Sequence, residues 1–176
     1  MPLPSYKLTP HTRPADYVLY RRELFELDPP YQRASTWGLS ERQDLLKSLL
    51  MGLPTGSIVL NMRPEHGVRA VVDGKQRIET LRAFYDGEFG IPAEWVDPRW
   101  VGTTVPIEYD GATVDGVVLG KGIHPFDAVV ENFPLSFIEA QVSTVAEEAV
   151  IFGLVNSGGV AQTPADLARA QKVAGS

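Results

Sequence analysis

The chain has 176 residues, of which 44% are hydrophobic and 22% charged, as expected for a globular protein with one well-packed domain. Cysteine is absent, which excludes disulfides, thiolate metal sites and thiol catalysis. The net charge of -6 argues against indiscriminate binding to nucleic acid. No apolar run is long enough to span a bilayer and the N-terminus lacks a signal-peptide pattern, so we expect a cytoplasmic protein with no membrane partner.

The first quarter of the chain predicts two helices separated by an irregular segment. Mixed apolar and charged positions indicate a first helix over residues 14–27, which ends before a pair of prolines. Residues 31–37 are irregular and rich in side chains that can bind a ligand. Ser40 is the expected N-cap of the next helix, with Gln43 completing a capping box, and leucines at helical spacing continue that helix to Gly52.

The middle of the chain predicts the main strands. Residues 58–60 and 70–72 form short apolar runs on either side of a turn, which is typical of buried strands. A helical pattern follows over residues 78–85 and ends near an Asp-Gly pair. A further strand is expected at residues 135–138.

Residues 90–134 differ in character because they are dense in Gly, Pro, Trp and Asp. Short strand-like pieces occur at 105–107 and 117–119. We interpret this segment as an inserted hairpin or flap within a single domain spanning residues 1–176.

Two helices are predicted at the end of the chain. One is capped by Thr144 and Glu147 and stops at Asn156-Ser157-Gly158-Gly159, and the last begins at Thr163-Pro164. The whole pattern predicts an α+β fold with a small mixed sheet and flanking helices.

The segment Asp73-Gly74-Lys75-Gln76-Arg77 places a carboxylate, a glycine and three polar donors in the turn between a strand and a helix. A helix N-terminus favours an anion such as phosphate. Gly74 permits close backbone approach, Arg77 offers a planar fork for phosphate oxygens, and Asp73 has the chemistry to hold a divalent metal or orient a nucleophile. A plain strand-to-helix turn with a solvated polar cap is the alternative, and the residues alone leave both open.

Two other segments also have two interpretations. Tyr31-Gln32-Arg33 is either a surface loop whose arginine pairs with an acid or a donor set that closes over phosphates or a base. Asn156-Ser157-Gly158-Gly159 is either a helix C-cap or a backbone loop that approaches a ligand. We interpret Trp37 as a core or cover aromatic.

Basic residues near these motifs suggest a local cleft that would admit DNA despite the acidic net charge. They are Arg21, Arg22, Arg33, Lys75, Arg77 and Arg82.

Other catalytic patterns fail. The chain has no Gly-x-x-x-x-Gly-Lys-Ser/Thr sequence, which excludes a P-loop enzyme. The histidines His11, His66 and His124 stand alone without a second ligand at metal spacing.

Three motifs, taken in order, resemble one family: the N-terminal domain of GmrSD-type modification-dependent restriction systems, marked by an Asp-Gly-Gln-Gln-Arg motif. The motifs are Pro30-Tyr31-Gln32-Arg33 with Trp37, then Asp73-Gly74-Lys75-Gln76-Arg77, then Phe152 with Asn156-Ser157-Gly158-Gly159. The resemblance runs from about Leu24 to Ala170, with residues 90–134 outside it. That family belongs to the superfamily of ParB partition proteins and sulfiredoxin, so the resemblance implies a ParB/sulfiredoxin-like domain.

The resemblance also implies binding of a nucleoside triphosphate with Mg²⁺, without distinguishing ATP, GTP or CTP. Asp73, Gln76 and Arg77 would then be catalytic, with Asp73 also the metal ligand. The residues expected to bind the nucleotide are Gln32, Arg33, Gly74, Lys75, Thr80, Asn156, Gly158 and Gly159.

Two departures from the family pattern qualify this expectation. Lys75 replaces the usual first Gln of the motif. The restriction enzymes carry a separate HNH-type nuclease domain that is missing from this chain. We therefore expect a separate nuclease or DNA-modification partner and no DNA cleavage by this chain alone.

The leading expectation is a nucleoside-triphosphate phosphohydrolase domain in phage defence, counter-defence or modified-DNA processing, in a bacterial or phage-infected host cytoplasm. Related free-serine kinases carry an Asp-Gly-His-His-Arg version of the turn. They motivate an alternative, transfer of the γ-phosphate to a hydroxyl on a small molecule or a hydroxymethylated DNA base. A further alternative is a non-catalytic module in which nucleotide occupancy switches binding to DNA or protein.

Overall fold

The computed structural model describes residues 6–32, 36–63, 67–120 and 122–157. Strands and helices are intermixed along these residues, and two short 3₁₀ turns lie at Arg22–Leu24 and Ala93–Trp95. The elements in chain order are β1 (Leu8–Pro14), α1 (Asp16–Leu19), β2 (Phe25–Glu26), α2 (Leu39–Leu50), β3 (Ile58–Arg63), β4 (Val68–Asp73), α3 (Lys75–Tyr85), β5 (Gly90–Pro92), β6 (Val105–Tyr109), β7 (Ala112–Val118), α4 (Asp127–Glu131), β8 (Pro134–Ala140) and α5 (Val145–Ser157). The predicted α+β class is confirmed.

Several sequence predictions lie outside the described residues. They concern Arg33, Gly158, Gly159, most of the turn between the strands at 58–60 and 70–72, and the helix expected from Thr163.

The main sheet has five strands in the order β1-β8-β3-β4-β2. It is mixed, as expected, because β3 pairs parallel with β8 and antiparallel with β4. Leu60 and Val71 pack into the core beneath the helices α1 to α3, whereas Val59 and Val72 pack into a second cluster beneath α5. Both faces of the central strands are therefore covered, which explains why these strands read as nearly continuous apolar runs.

A second sheet lies within residues 90–134, with three strands in the order β5-β7-β6. β6 and β7 form a hairpin whose turn residues, Asp110 and Gly111, both have positive φ (49° and 73°). Such a turn matches the natural twist of a two-residue hairpin. The expected hairpin is present, and it is one part of a small sheet that shares the main hydrophobic core.

Gln43 does not complete a capping box, contrary to the sequence prediction. Helix α2 begins after Gly38, and no side chain caps it. Gln43 is buried, and its amide donates hydrogen bonds to the carbonyls of Gly90 and Glu108, each at 2.9 Å. This residue therefore joins α2 to the second sheet, a contact between distant parts of the chain that a local capping pattern does not reveal.

The predicted helix over residues 14–27 is wrong for most of its length. The chain forms only the short α1, a 3₁₀ turn and the strand β2. Phe25 is buried, and its backbone pairs with Arg69 of β4, so tertiary pairing overrides the local helical pattern. Strand β1 was not predicted either, since it is an exposed edge strand containing two prolines.

Helices α3 and α5 agree with the sequence, whereas the short helix α4 was not predicted. Helix α3 ends at Tyr85 with Asp86 as its C-cap, and Gly87 follows in the left-handed region (φ 77°). At the start of α5, the Glu147 amide donates to the Thr144 hydroxyl (3.2 Å) and the Thr144 amide donates to the Glu147 carboxylate (3.1 Å). This confirms the predicted capping pair. None of the helices in the described ranges has the length and apolar character needed to cross a membrane.

Candidate functional site

The predicted turn lies where β4 meets α3 in the main sheet. Asp73 ends β4, and Gly74 adopts a left-handed conformation with φ of 95° before α3 begins at Lys75. A Cβ atom at position 74 would lie 2.9 Å from Ile58 Cγ1 and 3.1 Å from Ile58 Cα. Only glycine therefore fits, because the residue needs both the positive φ and the close approach to β3.

The charges of this turn are matched by opposite charges within the protein. Arg77 donates to the Asp73 carboxylate (3.1 Å) and to the Ser57 carbonyl (2.7 Å). Lys75 is buried; its ammonium bonds to Asp28 and lies 3.8 Å from a Glu79 oxygen. An anion that approached these cations would have to compete with carboxylates already beside them.

Residues 28–32, 36 and 37, hereafter the docking segment, contact this turn through side-chain amides. The Gln76 carbonyl oxygen accepts the backbone N–H groups of Trp37 (2.7 Å) and Thr36 (3.1 Å). The Gln32 amide donates to the carbonyls of Val71 (2.8 Å) and Val72 (2.9 Å) at the end of β4. The structure thus brings Gln32 and the turn together, as the sequence predicted, but through contacts that fasten the chain to itself.

Other predicted site residues have different surroundings. Thr80 is buried in α3, and among the described residues its hydroxyl has no hydrogen-bond partner. Asn156 donates to the Phe152 carbonyl of its own helix at 2.9 Å. Trp37 is partly buried against the main core, which confirms its interpretation as a cover aromatic.

The residues of the turn do not form a metal site by themselves. No three His, Cys, Asp or Glu side chains within the described ranges cluster closely enough to hold a metal ion. Asp73, the expected ligand, is bonded to Arg77. Mg²⁺ prefers oxygen ligands in octahedral geometry, so this donor set does not fit a protein-held ion, and Mg²⁺ stays a prediction.

A buried polar network beneath the docking segment was missed by the sequence reasoning. Its centre is Glu148 of α5, which is 1% exposed. One carboxylate oxygen accepts from Asn61 (2.7 Å) and Arg63 (2.8 Å), and the other accepts from Arg63 and from the Tyr31 hydroxyl (3.0 Å). A second acid, Glu26 of β2, also binds Arg63. The sequence signal for this network is Glu148, an acidic residue within the mostly apolar pattern of helix α5.

Hydrogen bonding determines the ionisation of Glu148. Burial alone would raise the pKa of this carboxyl group, but hydrogen bonds from Arg63 and Asn61 and the charge of Arg63 outweigh burial and lower it. Burial, followed by the charge of Glu148, raises the pKa of Tyr31. Tyr31 is therefore a neutral donor that connects the docking segment to a charged acceptor on α5.

Most of the basic side chains expected to line a cleft instead contact carboxylates or backbone carbonyls of the protein itself. Arg22 makes a two-point contact with Asp86 (2.6 and 2.7 Å), and Arg82 donates to the Val18 carbonyl (2.9 Å). Burial, with the nearby charge of Arg22, lowers the pKa of Arg82 to about 10. Arg21, in contrast, is exposed.

Comparison with known proteins identifies the family. The profile described as "GmrSD restriction endonuclease, N-terminal domain" matches residues 18–115, more than half of the chain. The chain belongs to the GmrSD N-terminal domain family. No curated protein and no solved structure matches it. The match includes the docking segment, the turn and the first part of the 90–134 segment, whereas Glu148 and Asn156 lie beyond it.

Membership of the GmrSD family corrects the predicted activity. The matched family is a domain of a restriction endonuclease, and nothing in the match indicates hydrolysis of nucleoside triphosphates or phosphoryl transfer. The phosphohydrolase prediction, its kinase alternative and the nucleotide-switched alternative are therefore wrong. No finding supports a nucleotide partner. At the turn, Lys75 already forms an ion pair with Asp28, and Arg77 forms one with Asp73.

Proposed function

We propose that this chain acts as the N-terminal module of a GmrSD-type restriction system that defends against foreign or modified DNA together with a nuclease domain or subunit. The family match over residues 18–115 carries this proposal, because it covers more than half of the chain and includes the strands β2, β3 and β4 of the main sheet. The family description concerns a restriction endonuclease, and association with a nuclease follows from that role.

Within this module, we place the working centre where the docking segment meets the turn at residues 73–77. Both lie inside the matched range, and together they contain most of the polar residues that the sequence singled out. Gln76 holds two successive backbone N–H groups of the docking segment, and Lys75 holds its first residue, Asp28. The described residues at either end of this segment are therefore fastened to the turn.

The proposed fold kinship is with ParB/sulfiredoxin-like domains. A strand that ends in a glycine turn and enters a helix, within a mixed sheet covered by helices, supports this kinship. Superposition of an experimental structure of the chain on members of that superfamily tests it.

Phage challenge tests the proposed function. Cells that produce the chain together with an HNH-type nuclease component of the same system should plate phage less efficiently than cells that produce either protein alone. Gln76→Ala removes the contacts to Thr36 and Trp37, so it should return plating to the unprotected level.

The matched control for this experiment is Gln141→Ala. Gln141 is exposed on the loop after β8, so its side chain can be removed without disturbing the docking segment. This variant should restrict phage as well as the wild type. Equal plating with and without the chain, in the presence of the nuclease component, refutes the proposed function.

A further inference from the structure

A groove lies between the end of β1 and α1, outside the docking segment and the turn. Its volume is about 410 Å³. The residues that line it are Arg13, Asp16, Tyr17, Tyr20 and Arg21. The sequence analysis named Arg21 among the basic residues of a DNA cleft, but Arg13 was missed because it lies on a strand that the sequence did not predict.

The two arginines of this groove are exposed and are not used in ion pairs. Over the described parts of the chain, neither Arg13 nor Arg21 has a carboxylate within ion-pair distance, although Arg22, next in sequence, is held by Asp86. The Arg13 guanidinium instead lies 4.7 Å from the centre of the Tyr17 ring. Asp16 contributes one carboxylate to the lining, so the five residues carry a net positive charge.

The two tyrosines of the groove are fixed in position by contacts with other parts of the protein. Tyr20 is 58% exposed, yet its hydroxyl bonds to the Tyr85 hydroxyl (2.6 Å) and to Glu131. Tyr17 packs edge-on against Phe25 (5.2 Å) and Phe137 (5.5 Å) in the core. The groove therefore presents aromatic rings that are already ordered before any ligand arrives, which reduces the entropy lost on binding.

We propose that this groove binds the phosphodiester backbone of DNA, with Arg13 and Arg21 on phosphate oxygens and the Tyr20 ring against a sugar or base. Arginine is suited to phosphate oxygens because its planar fork donates two hydrogen bonds at once, and aromatic rings stack on nucleotides whatever their sequence. The acidic net charge of the whole chain makes a local positive groove necessary for such binding.

This inference rests on the proposed function, because a module of a restriction system acts on DNA. It deepens that function by assigning the DNA contact to a surface distinct from the turn at residues 73–77.

Fluorescence anisotropy of a short fluorescein-labelled DNA duplex with the full chain tests the inference. Affinity should fall as salt rises between about 50 and 200 mM, because binding to phosphates releases counterions. The double variant Arg13→Ala/Arg21→Ala should bind about tenfold more weakly, and the slope of log affinity against log salt should become shallower by about 2.

The charge-matched control is Lys7→Ala/Arg99→Ala. Both side chains are exposed and lie outside the groove, so this variant changes the net charge equally but should keep the wild-type affinity and salt slope. Thermal unfolding of both variants checks that each remains folded.

The inference is overturned if the wild type does not bind the duplex, or if Arg13→Ala/Arg21→Ala binds with unchanged affinity and slope. It is equally overturned if the control variant loses as much affinity as the groove variant. Phage plating separates the two proposals: a chain that restricts phage but binds DNA independently of these arginines retains the proposed function and loses this inference.

Discussion

Glu148 lies where α5, β3 and the docking segment meet. An isolated carboxylate in the protein interior is costly unless its charge is paired and its oxygens are hydrogen-bonded. Here Arg63 supplies the opposite charge, while Asn61 and Tyr31 supply further donors. Removing this carboxylate's charge leaves Arg63 with only one acid, Glu26, among its described contacts.

We expect Glu148→Gln to reduce the free energy of unfolding by about 3 kcal/mol, the cost of breaking a buried ion pair from one side. Urea denaturation at neutral pH measures this change. Glu94→Gln is the control, because Glu94 is exposed on a 3₁₀ turn, and it should change stability by less than about 0.5 kcal/mol.

The ion pair between Glu148 and Arg63 also predicts that the stability of the protein depends on pH. The pKa of Glu148 is lowered on folding, so between the folded and unfolded values the unfolded chain binds more protons and stability rises with pH. The contribution of this carboxylate is present above its unfolded pKa, near 4.5, and is lost as pH falls through the folded value. The stability difference between wild type and Glu148→Gln should therefore shrink in acid. A difference that stays constant or grows in acid contradicts this account.

At the scale of elements, the junction of β4 and α3 depends on a single glycine. Gly74 has positive φ, and a Cβ atom added to it would lie 2.9 Å from Ile58 Cγ1. Gly52, after α2, also has positive φ (69°) but has nothing within 4 Å of that atom. Comparing substitutions at Gly74 and Gly52 therefore separates the free-energy cost of the backbone conformation from that of a steric clash.

Gly74→Ala should lower the free energy of unfolding by about 3 kcal/mol, because left-handed backbone strain adds to the displacement of β3. Gly52→Ala should cost only about 1 kcal/mol, the conformational part alone. Urea denaturation of both variants gives the comparison. Equal losses for the two would mean that α3 can shift away from β3 without penalty.

The elements that the sequence revealed are those with local signals. Helices α2 and α3 have leucine or apolar spacing and a terminal glycine, and the capping pair of α5 is three residues apart. Strands β1 and β2 lack such signals, because they exist through pairing with β8 and β4.

The candidate site divides in the same way. The position of the turn could be predicted, since Gly74 and its flanking periodicity are local. The partner of Lys75 could not, because Asp28 is brought to it across 47 positions of sequence, whereas Arg77 and its partner Asp73 are only four residues apart. The tertiary contact, and not the residue type, decides whether a lysine or arginine is open to a ligand. The anion interpretation of this turn stays a prediction.

At the scale of the whole molecule, the family match and the folding unit have different limits. The match ends at residue 115, yet β8 lies between β1 and β3 in the main sheet. Ile58 to Asn61 of β3 pair with Phe137 to Ala140 of β8. Helix α5, which covers one face of β4, also follows the matched range.

We therefore expect a fragment of residues 18–115 to lack a stable fold, whereas the full chain should unfold cooperatively. The shorter fragment exposes the inner edge of β3 and loses core side chains such as Phe126, Phe133 and Phe137. It also leaves Arg63 without Glu148. A central strand with an unpaired edge and an exposed apolar face promotes aggregation and does not support a stable fold. Circular dichroism during urea denaturation and the dispersion of amide NMR signals compare this fragment with the full chain. A cooperative transition in residues 18–115 would show that this range is a domain by itself and would refute the single-domain prediction.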